Sequence, residues 1–346
     1  MNIDEILEKI KKKEDIPLIE KAYSFANVRL SNINHIDGKP LMQHILAIVN
    51  TLLDFNADNL TIISALLYET LNYGISKEEI EKAFDNSVGN IAFSIATINN
   101  LEHYNSNDYE AYLKETLIDS PEDVRSLFIK LAERFFVLQN MEKVPEQYQK
   151  KIASETLNVL VPTASRLGLN FIRSKLEDLC LYYLEPQIYN EILRKLNGTP
   201  NTLITHLNSM KKSISDLLAE NNINCVIKGR VKNVYSIYNK LCRGKSWEDI
   251  YDILAIRILT DDEADCVQIA ELIHSKYKPI SSRFKDYISN PKENMYQSIH
   301  TTIVGEDNRF YEIQIRTYEM NKNAEKGNAS HHLYKIRSKQ NNPSNQ

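Results

Sequence analysis

The spacing of hydrophobic residues divides the chain into two parts. From Ile3 to about Leu196, apolar residues recur every three or four positions, as in Leu60–Leu67 and Ile91–Ile98. This is the period of amphipathic helices. Ser76 followed by Glu79 forms a capping-box pattern, in which each side chain bonds to the backbone of the other at the start of a helix. The first part is therefore predicted to be all-α.

The period changes after the Gly/Pro break NGTPN at residues 197–201. A further helix is predicted over Thr202–Glu220, followed by alternating strands and helices. The strands are predicted at Cys225–Arg230, Ile253–Leu259, Ile299–Val304 and Arg309–Arg316, and the helices at Val234–Cys242 and Glu263–Tyr277. Mixed strands and helices of this kind indicate an α+β domain around a small mixed sheet.

These patterns predict a multidomain chain. We expect a helical domain over residues 1–196, a connector helix over 197–222 and the α+β domain over 223–335. The tail at 336–346 is polar and has no hydrophobic face to pack, so we expect it to be disordered.

Composition narrows the function classes. The 346 residues include 42 Lys+Arg and 46 Asp+Glu, a formal charge of −4, so the overall charge predicts neither stable nucleic-acid binding nor a membrane-surface protein. No apolar run reaches the roughly 18 residues of a membrane span, and the four cysteines lack C-x-x-C spacing. We expect a cytoplasmic protein with a local pocket for any polyanion; the sequence leaves a homo-oligomer open.

The most unusual stretch is RFKDYISNPKENMYQSIH, residues 283–300. Burying this many polar groups without partners would cost several kcal/mol each, so it is not a core strand. Polar loops between strands are where rigid scaffolds place binding groups. The stretch is predicted to line a nucleotide site.

The last predicted strand adds a polar face. Alternation along the strand puts Glu312, Gln314 and Arg316 on one side, which in most sequences would be a solvated surface. Asp252 precedes a buried strand, and together with Glu312 it offers the two carboxylates that hold Mg²⁺ while nucleotide phosphates complete its coordination. Basic residues surround these positions and favour a phosphate pocket: Lys228, Arg230, Lys232, Lys240, Arg257, Arg283, Lys285 and Lys292.

Five ordered motifs in this half resemble the synthetase domain of the RelA/SpoT family, whose members make the alarmone (p)ppGpp. They are KGRVKNVYSIYNK (228–240), IYDILAIRI (250–258), RFKDYISNPKENMYQSIHTT (283–302), EIQIRT (312–317) and AEKGNASHHLYK (324–335). The resemblance implies pyrophosphate transfer from ATP to the 3′-hydroxyl of GDP or GTP, with Mg²⁺ as cofactor. It implies Asp252 and Glu312 as metal ligands and Glu312 as the general base.

The resemblance also assigns the nucleotide contacts. Arg230 corresponds to the residue that stacks on the adenine of ATP, and Tyr296 to the residue that stacks on guanine. The remaining ATP-binding positions are Lys232, Ser236, Lys240, Arg257, Arg283 and Lys285. The remaining GDP/GTP-binding positions are Lys292, Asn294, Gln297, His300, Gln314 and Arg316. Met295 stands where the family usually has a glycine before the tyrosine, a departure that bears on guanine selectivity more than on catalysis.

The helical half resembles the hydrolase domain of the same family, through GKPLMQHILAI (38–48), SALLYE (64–69), IKLAERF (129–135) and ETLNVLVPTASRLGL (155–169). Active hydrolases hold Mn²⁺ with a His, a His-Asp pair and a later Asp, next to a Glu-Asp pair. Here these positions are occupied by His44, Tyr68-Glu69, Glu133 and Asn72-Tyr73. Tyrosine is a poor ligand for a divalent ion. We predict a degenerate hydrolase domain that has a structural or controlling role.

Three other functions stay open. The pyrophosphate acceptor could be an adenine nucleotide or a tRNA 3′ end, and the chain could be a nucleotide-binding regulatory module without catalysis. A bifunctional enzyme that also hydrolyses the alarmone is the least favoured, because the hydrolase positions are altered.

Overall fold

The computed structural model describes residues 2–10, 12–35, 39–102, 123–166, 168–196, 199–292 and 295–324. The chain forms two compact units, residues 1–184 and 185–346. The division falls one helix before the domain boundary predicted at residue 196. The predicted disordered tail, residues 336–346, lies outside the described residues.

The first unit is helical throughout its described residues. Its α-helices are α1 Ile3–Glu8, α2 Ile16–Leu30, α3 Leu41–Asp54, α4 Asn59–Leu67, α5 Lys77–Ala83, α6 Asn86–Glu102, α7 Val124–Gln139, α8 Glu146–Glu155, α9 Val161–Arg166 and α10 Asn170–Leu184. Short 3₁₀ segments lie at Lys13–Asp15 and Tyr68–Tyr73, and a π-helical turn at Thr156–Leu160 joins α8 to α9.

The predicted apolar stripes form the core of this unit. Ile63 and Leu66 on α4 and Ile91 and Ile95 on α6 are buried, as expected for helices that pack one apolar face inward. The capping box at the start of α5 is present, because Ser76 Oγ accepts from Glu79 N at 3.2 Å while Glu79 Oε2 accepts from Ser76 N at 2.7 Å. The all-α prediction is confirmed.

The second unit is an α+β domain, as predicted. Its α-helices are α11 Pro186–Lys195, α12 Pro200–Glu220, α13 Val234–Cys242 and α14 Glu263–Lys276, with 3₁₀ turns at Trp247–Asp249 and Ser281–Arg283. Its strands are β1 Val226–Val231, β2 Leu254–Thr260, β3 Lys278–Pro279, β4 Lys285–Asp286, β5 Ile299–Val304 and β6 Phe310–Thr317.

The strands form one mixed sheet in the order β1-β2-β6-β5-β3, and β4 pairs with β5. Only β2 and β6 are parallel; the other pairs are antiparallel. The strands β3 and β4 were not predicted, because two residues are too short for an alternation pattern to be recognised.

One face of the sheet is apolar and packs against α12 and α14. Ile256, Ile313 and Ile303 on this face are buried. Gly229 on β1 faces the same way, and a Cβ there would lie 2.8 Å from Lys211 Cδ. The missing side chain therefore lets α12 approach the sheet closely, and the opposite face is left open for polar residues.

Within the described residues, no helix combines the length and the apolar character needed to cross a membrane. All four cysteines are free thiols: Cys180, Cys225, Cys242 and Cys266.

We expect Ile313→Ala to destabilise the second unit. Ile313 is fully buried on a strand with neighbours on both sides, so the lost contacts and the remaining cavity should lower its free energy of unfolding by about 2–5 kcal/mol. Urea unfolding followed by the fluorescence of Trp247, the single tryptophan, reports on this unit. Val267→Ala, at a 49% exposed position on α14, is the control and should change the free energy by less than about 0.5 kcal/mol. Equal losses in the two variants would contradict this assignment of the core.

Candidate functional site

The polar face of the sheet gathers residues from five strands: β1, β2, β6, β5 and β4. Glu312 on β6 lies opposite Ala255 on β2 and Thr302 on β5. In the adjacent row, Gln314 lies between Arg257 and His300. Because side chains at every second position share a face, Glu312 and Gln314 point away from the isoleucine core. Lys228 and Lys285 extend the Gln314 row at its two ends, on β1 and β4.

Asp252, before β2, forms a cluster with two lysines. Lys232 Nζ donates to Asp252 Oδ2 at 2.6 Å, and Lys240 Nζ donates to Oδ1 at 2.9 Å and to Oδ2 at 2.8 Å. The antiparallel pairing of β1 with β2 produces this contact, because it brings the end of β1 beside the start of β2, where Lys232 N donates to Ile253 O at 2.8 Å. We call Asp252, Lys232 and Lys240 the Asp252 cluster.

The Asp252 cluster carries one surplus positive charge. Burial alone would raise the pKa of Asp252, but the hydrogen bonds and charges of the two lysines outweigh it and lower the pKa to about 2. Burial lowers the pKa of Lys232, and its bond to Asp252 opposes that shift. One ionised carboxylate between two ammonium groups attracts anions more than cations.

Glu312 is ionised on the neighbouring strand. Burial acts to raise its pKa, but contacts with His300 and Gln314 outweigh it and the pKa is lowered. His300 Nδ1 lies 3.5 Å from Glu312 Oε1, and Gln314 Nε2 donates to the same oxygen at 3.4 Å. The charge of Asp252 also acts on this carboxyl, in the direction of a higher pKa. Glu312 is therefore an ionised carboxylate within electrostatic range of the Asp252 cluster.

Next to Glu312 lies a group of aromatic and cationic side chains that we call the Tyr296 cluster: Tyr287, Lys292, Tyr296, His300 and Arg316. Tyr296 Oη and His300 Nε2 are 2.9 Å apart. Lys292 Nζ lies 5.1 Å and Arg316 Cζ 5.8 Å from the centre of the Tyr296 ring. A half-buried aromatic ring with cations around it is suited to stack a base and attract its phosphates.

A small cavity of about 170 Å³ opens between β1 and β2, lined by Lys228, Gly229, Arg230, Ala255, Ile256, Arg257 and Gln314. Two of the predicted ATP contacts line this cavity: Arg230, which is predicted to stack on the adenine, and Arg257. Gln314 lines it as well and reaches Glu312, so the cavity is continuous with the polar row.

The structure does not bring every predicted site residue into these clusters. The Arg283 guanidinium stacks over Tyr251, 4.1 Å from the ring centre. Ser236 Oγ donates to the Asn233 side chain, and Gln297 Nε2 donates to Ile288 O at 3.4 Å. Asn294 lies outside the described residues.

The predicted hydrolase positions lie together in the first unit. His44 is buried and stacks on His35, with ring centres 4.1 Å apart and planes 10° apart. Tyr68 is fully buried, whereas Tyr73 is 41% exposed. Burial raises the pKa of Tyr68 well above its usual value, and the charges of Glu133 and Glu69 add to this effect. A tyrosine in this environment stays protonated and is a poor metal ligand.

Amides and a lysine satisfy the two carboxylates near Tyr68. Asn72 Nδ2 donates to Glu69 Oε2 at 3.1 Å. Asn99 Nδ2 donates to Glu133 Oε2 at 3.0 Å, and the buried Lys130 Nζ lies 3.4 Å from the same oxygen. Burial raises the pKa of Glu69, partly opposed by the Asn72 bond. Over the described part of the chain, no three or more His, Cys, Asp or Glu side chains are grouped so that they could hold a metal ion.

Comparison with known proteins covers both units. A family model described as a region found in RelA / SpoT proteins matches residues 229–339, and a model of the HD domain matches residues 22–170. The second unit thus contains the region that RelA/SpoT proteins share, and the first contains an HD domain.

Curated relatives align with nearly the whole chain. A probable GTP pyrophosphokinase of Mycobacterium leprae is 33% identical over 325 residues, which is 93% of this chain and 41% of that protein. The GTP pyrophosphokinase of Myxococcus xanthus is 34% identical over 328 residues, 93% of this chain and 43% of that protein. The chain therefore spans less than half the length of these curated relatives.

Among solved structures, small alarmone synthetase 2 from Bacillus subtilis is 29% identical, with a TM-score of 0.33. The match covers 42% of this chain and 82% of that chain.

Met295, where the sequence departs from the RelA/SpoT motif, has an unusual backbone conformation. Met295 has a φ of 59°, in the left-handed region that glycine adopts freely and other residues adopt at a cost. Its N–H donates to Lys292 O at 2.8 Å, which closes the turn before Tyr296. Glycine would adopt this backbone conformation freely, whereas here an apolar side chain, 74% exposed, precedes Tyr296.

Sequence reasoning missed two aromatic residues of the site. The Tyr287 ring packs edge-to-face on His300 at 5.4 Å and on Tyr296 at 6.2 Å, and Tyr251 carries the Arg283 guanidinium. Tyr287 lies in the polar stretch already singled out, so its residue type was the available signal. For Tyr251 the only signal in the sequence was its position next to Asp252.

We expect the stability contribution of Asp252 to depend on pH. Its folded-state pKa is about 2, below the roughly 3.9 of an unfolded aspartate. The contribution is therefore complete above about pH 4 and is lost as the pH falls towards 2. The gap in urea midpoint between wild type and Asp252→Asn, followed by Trp247 fluorescence, should be smaller at pH 3 than at pH 7. The exposed Asp216→Asn is the control and should shift little at either pH. A gap that does not change with pH would contradict the lysine pairing.

Proposed function

We propose that the second unit transfers pyrophosphate from ATP to the 3′-hydroxyl of GDP or GTP, the alarmone synthesis of the stringent response. The observation that carries this is the position of ionised Glu312, on the same sheet face as the Tyr296 cluster and within the electrostatic range of the Asp252 cluster. The names of the pyrophosphokinase relatives support it. Because both substrates are cytoplasmic nucleotides, we place the activity in the cytoplasm.

The donor side is formed by the Asp252 cluster and the β1–β2 cavity. Arg230 and Arg257 line that cavity from adjacent strands, where guanidinium planes can stack on an adenine. Lys232 and Lys240 supply the two ammonium groups for the polyphosphate.

Arg283 and Lys285 are proposed as ATP contacts on the family resemblance alone. Lys285 lies on β4 beside His300, at the far end of the Gln314 row from the β1–β2 cavity. Arg283 stacks on Tyr251.

The acceptor side is the Tyr296 cluster. The Tyr296 ring is proposed to stack on guanine, and Lys292 and Arg316 supply positive charge for the acceptor's phosphates. His300 links the proposed base-stacking ring to the proposed proton acceptor, because its Nε2 contacts Tyr296 Oη and its Nδ1 lies near Glu312 Oε1. The acceptor's ribose would thus be held next to the carboxylate.

In the proposed reaction Glu312 accepts the proton of the acceptor's 3′-hydroxyl, and the 3′-oxygen attacks the β-phosphorus of ATP. The bond from that phosphorus to the α–β bridging oxygen breaks, and AMP leaves with the electron pair. Asp252 and Glu312 have the oxygen donors that Mg²⁺ prefers, and a bound Mg²⁺ would neutralise charge on the phosphates. Lys232 and Lys240 hold the phosphate chain for in-line displacement.

The first unit is proposed to lack alarmone hydrolysis. Tyr68, Glu69, Asn72 and Glu133 replace the family's metal ligands and their neighbours. In the structure, amide and ammonium groups satisfy Glu69 and Glu133. We therefore propose a structural or controlling role for the helical domain.

The first test is an incubation of purified protein with Mg²⁺, labelled ATP and GDP or GTP, followed by chromatography. We expect AMP together with a guanosine tetra- or pentaphosphate. A parallel sample with Mn²⁺ and ready-made ppGpp should remain unchanged. Guanosine products from the first sample and breakdown in the second would instead show a bifunctional enzyme.

Glu312→Gln should abolish synthesis and leave ATP binding largely intact, because only the proton acceptor and one carboxylate ligand change. ATP binding is measured by calorimetry with a non-hydrolysable analogue. Glu319→Gln, at an exposed position after β6, removes the same charge outside the site and should keep wild-type turnover. Normal turnover in Glu312→Gln would exclude the proposed base.

Tyr296→Ala should weaken acceptor binding by about 1–3 kcal/mol, the value of one base–aromatic stack. Tyr296→Phe keeps the ring and loses the hydroxyl that meets His300, so it should retain most of the affinity. Titration with GDP in the presence of the ATP analogue gives the dissociation constant of GDP for each variant. If Tyr296→Ala binds GDP as the wild type does, the ring does not stack on the base.

Met295 favours a second candidate, transfer to another acceptor such as an adenine nucleotide or a tRNA 3′ end. An exposed apolar side chain next to Tyr296 changes the surface that the acceptor base would meet. A screen of acceptors in the same assay separates this candidate from guanosine specificity.

A further inference from the structure

The Asp252 carboxylate has both oxygens engaged by lysines. Lys232 Nζ and Lys240 Nζ make three contacts of 2.6–2.9 Å with Oδ1 and Oδ2. The side chains of Asp252, Lys232 and Lys240 are 23%, 14% and 29% exposed, so the cluster is partly shielded from water. In this arrangement Asp252 is held as the centre of an ion cluster.

This arrangement opposes a divalent cation at Asp252. A metal ion would need the oxygen lone pairs that the ammonium groups occupy, and two positive charges within a few ångströms would repel it. The proposed function requires Asp252 as a metal ligand. The lysines must therefore leave the carboxylate before it can serve.

We propose that the Asp252 cluster is a charge switch: a nucleotide triphosphate draws Lys232 and Lys240 off Asp252, and only then does the carboxylate accept a divalent cation. The inference rests on the proposed role of Asp252. It adds a binding order, in which the anion comes first and opens the cation site.

The composition of the cluster supports this order. With two ammonium groups on one carboxylate, the surplus charge is positive, so an approaching triphosphate is attracted and a free divalent cation is repelled. A triphosphate offers the two lysines several anionic oxygens, whereas the Asp252 carboxylate offers two. Lysine suits the exchange, since its ammonium is a point charge on a flexible stem and keeps no fixed fork geometry.

The position of each lysine allows the movement. Lys232 follows β1 and Lys240 lies in the last turn of α13, so the two stems reach Asp252 from different elements. Each can turn towards a phosphate chain while the β1–β2 pairing stays unchanged. By linkage, the metal must strengthen nucleotide binding by the same factor by which the nucleotide strengthens metal binding.

Binding of Mn²⁺, followed by the electron paramagnetic resonance of the free ion, tests the switch. Wild type and Asp252→Asn should bind Mn²⁺ equally weakly without nucleotide. A non-hydrolysable ATP analogue should add one tight site to the wild type and a much weaker one to Asp252→Asn. If the nucleotide-free wild type already has an Asp252-dependent site, the proposal is overturned.

Lysine variants test the cause. Lys232→Met combined with Lys240→Met should raise the nucleotide-free Mn²⁺ affinity of the Asp252 site by roughly tenfold or more, since two nearby positive charges are gone. Lys245→Met, on the exposed turn after α13, removes a lysine that does not contact Asp252 and should bind Mn²⁺ as the wild type does. No gain in the double variant, with its thermal unfolding midpoint near that of the wild type, would overturn the proposal. If the double variant is unstable, the comparison of wild type with Asp252→Asn decides.

Failure of the switch and failure of the proposed function give different results. A protein that makes no alarmone but gains the Asp252 site with the ATP analogue keeps the switch. A protein that makes alarmone and binds Mn²⁺ at Asp252 equally well with and without the analogue keeps the function and loses the switch.

Discussion

The parallel pairing of β2 with β6 is the constraint on which the second unit depends. It fixes Ala255 opposite Glu312 and Arg257 opposite Gln314, and on the other face it pairs Ile256 with Ile313. A slip of one residue would turn the isoleucines to solvent and the carboxylate into the core. Because the isoleucines are buried, the packing of α12 and α14 holds the register, and the register positions the polar face with Glu312 and Gln314.

The electrostatics of the site follow from this placement. The chain as a whole is slightly acidic, at −4, yet the β1–β2 end of the sheet gathers lysines and arginines around a single aspartate. Each carboxylate is kept ionised by different partners: ammonium groups for Asp252, and a histidine and an amide for Glu312. Two carboxylates in such separate environments can remain charged together.

Local patterns predicted much of this from the sequence, and tertiary contacts account for the rest. Alternation along β6 was enough to place Glu312 and Gln314 on one face, because a strand has a fixed period. The contact of Asp252 with Lys232 and Lys240 needed the antiparallel pairing of β1 with β2, which no local pattern specifies. The stacking of Arg283 on Tyr251 likewise depends on where the loop before β4 folds back.

The packing of the helical unit fits the proposed loss of hydrolysis. A metal site needs several donors of the right type at one point, so a Tyr68-Glu69 pair in place of His-Asp would be enough to remove it. A packed core has fewer requirements than a metal site, since a buried tyrosine fills volume and a buried carboxylate needs only hydrogen-bond partners. Asn72 supplies a partner to Glu69, and Asn99 and Lys130 supply partners to Glu133. These partners keep both carboxylates hydrogen-bonded within the helical unit.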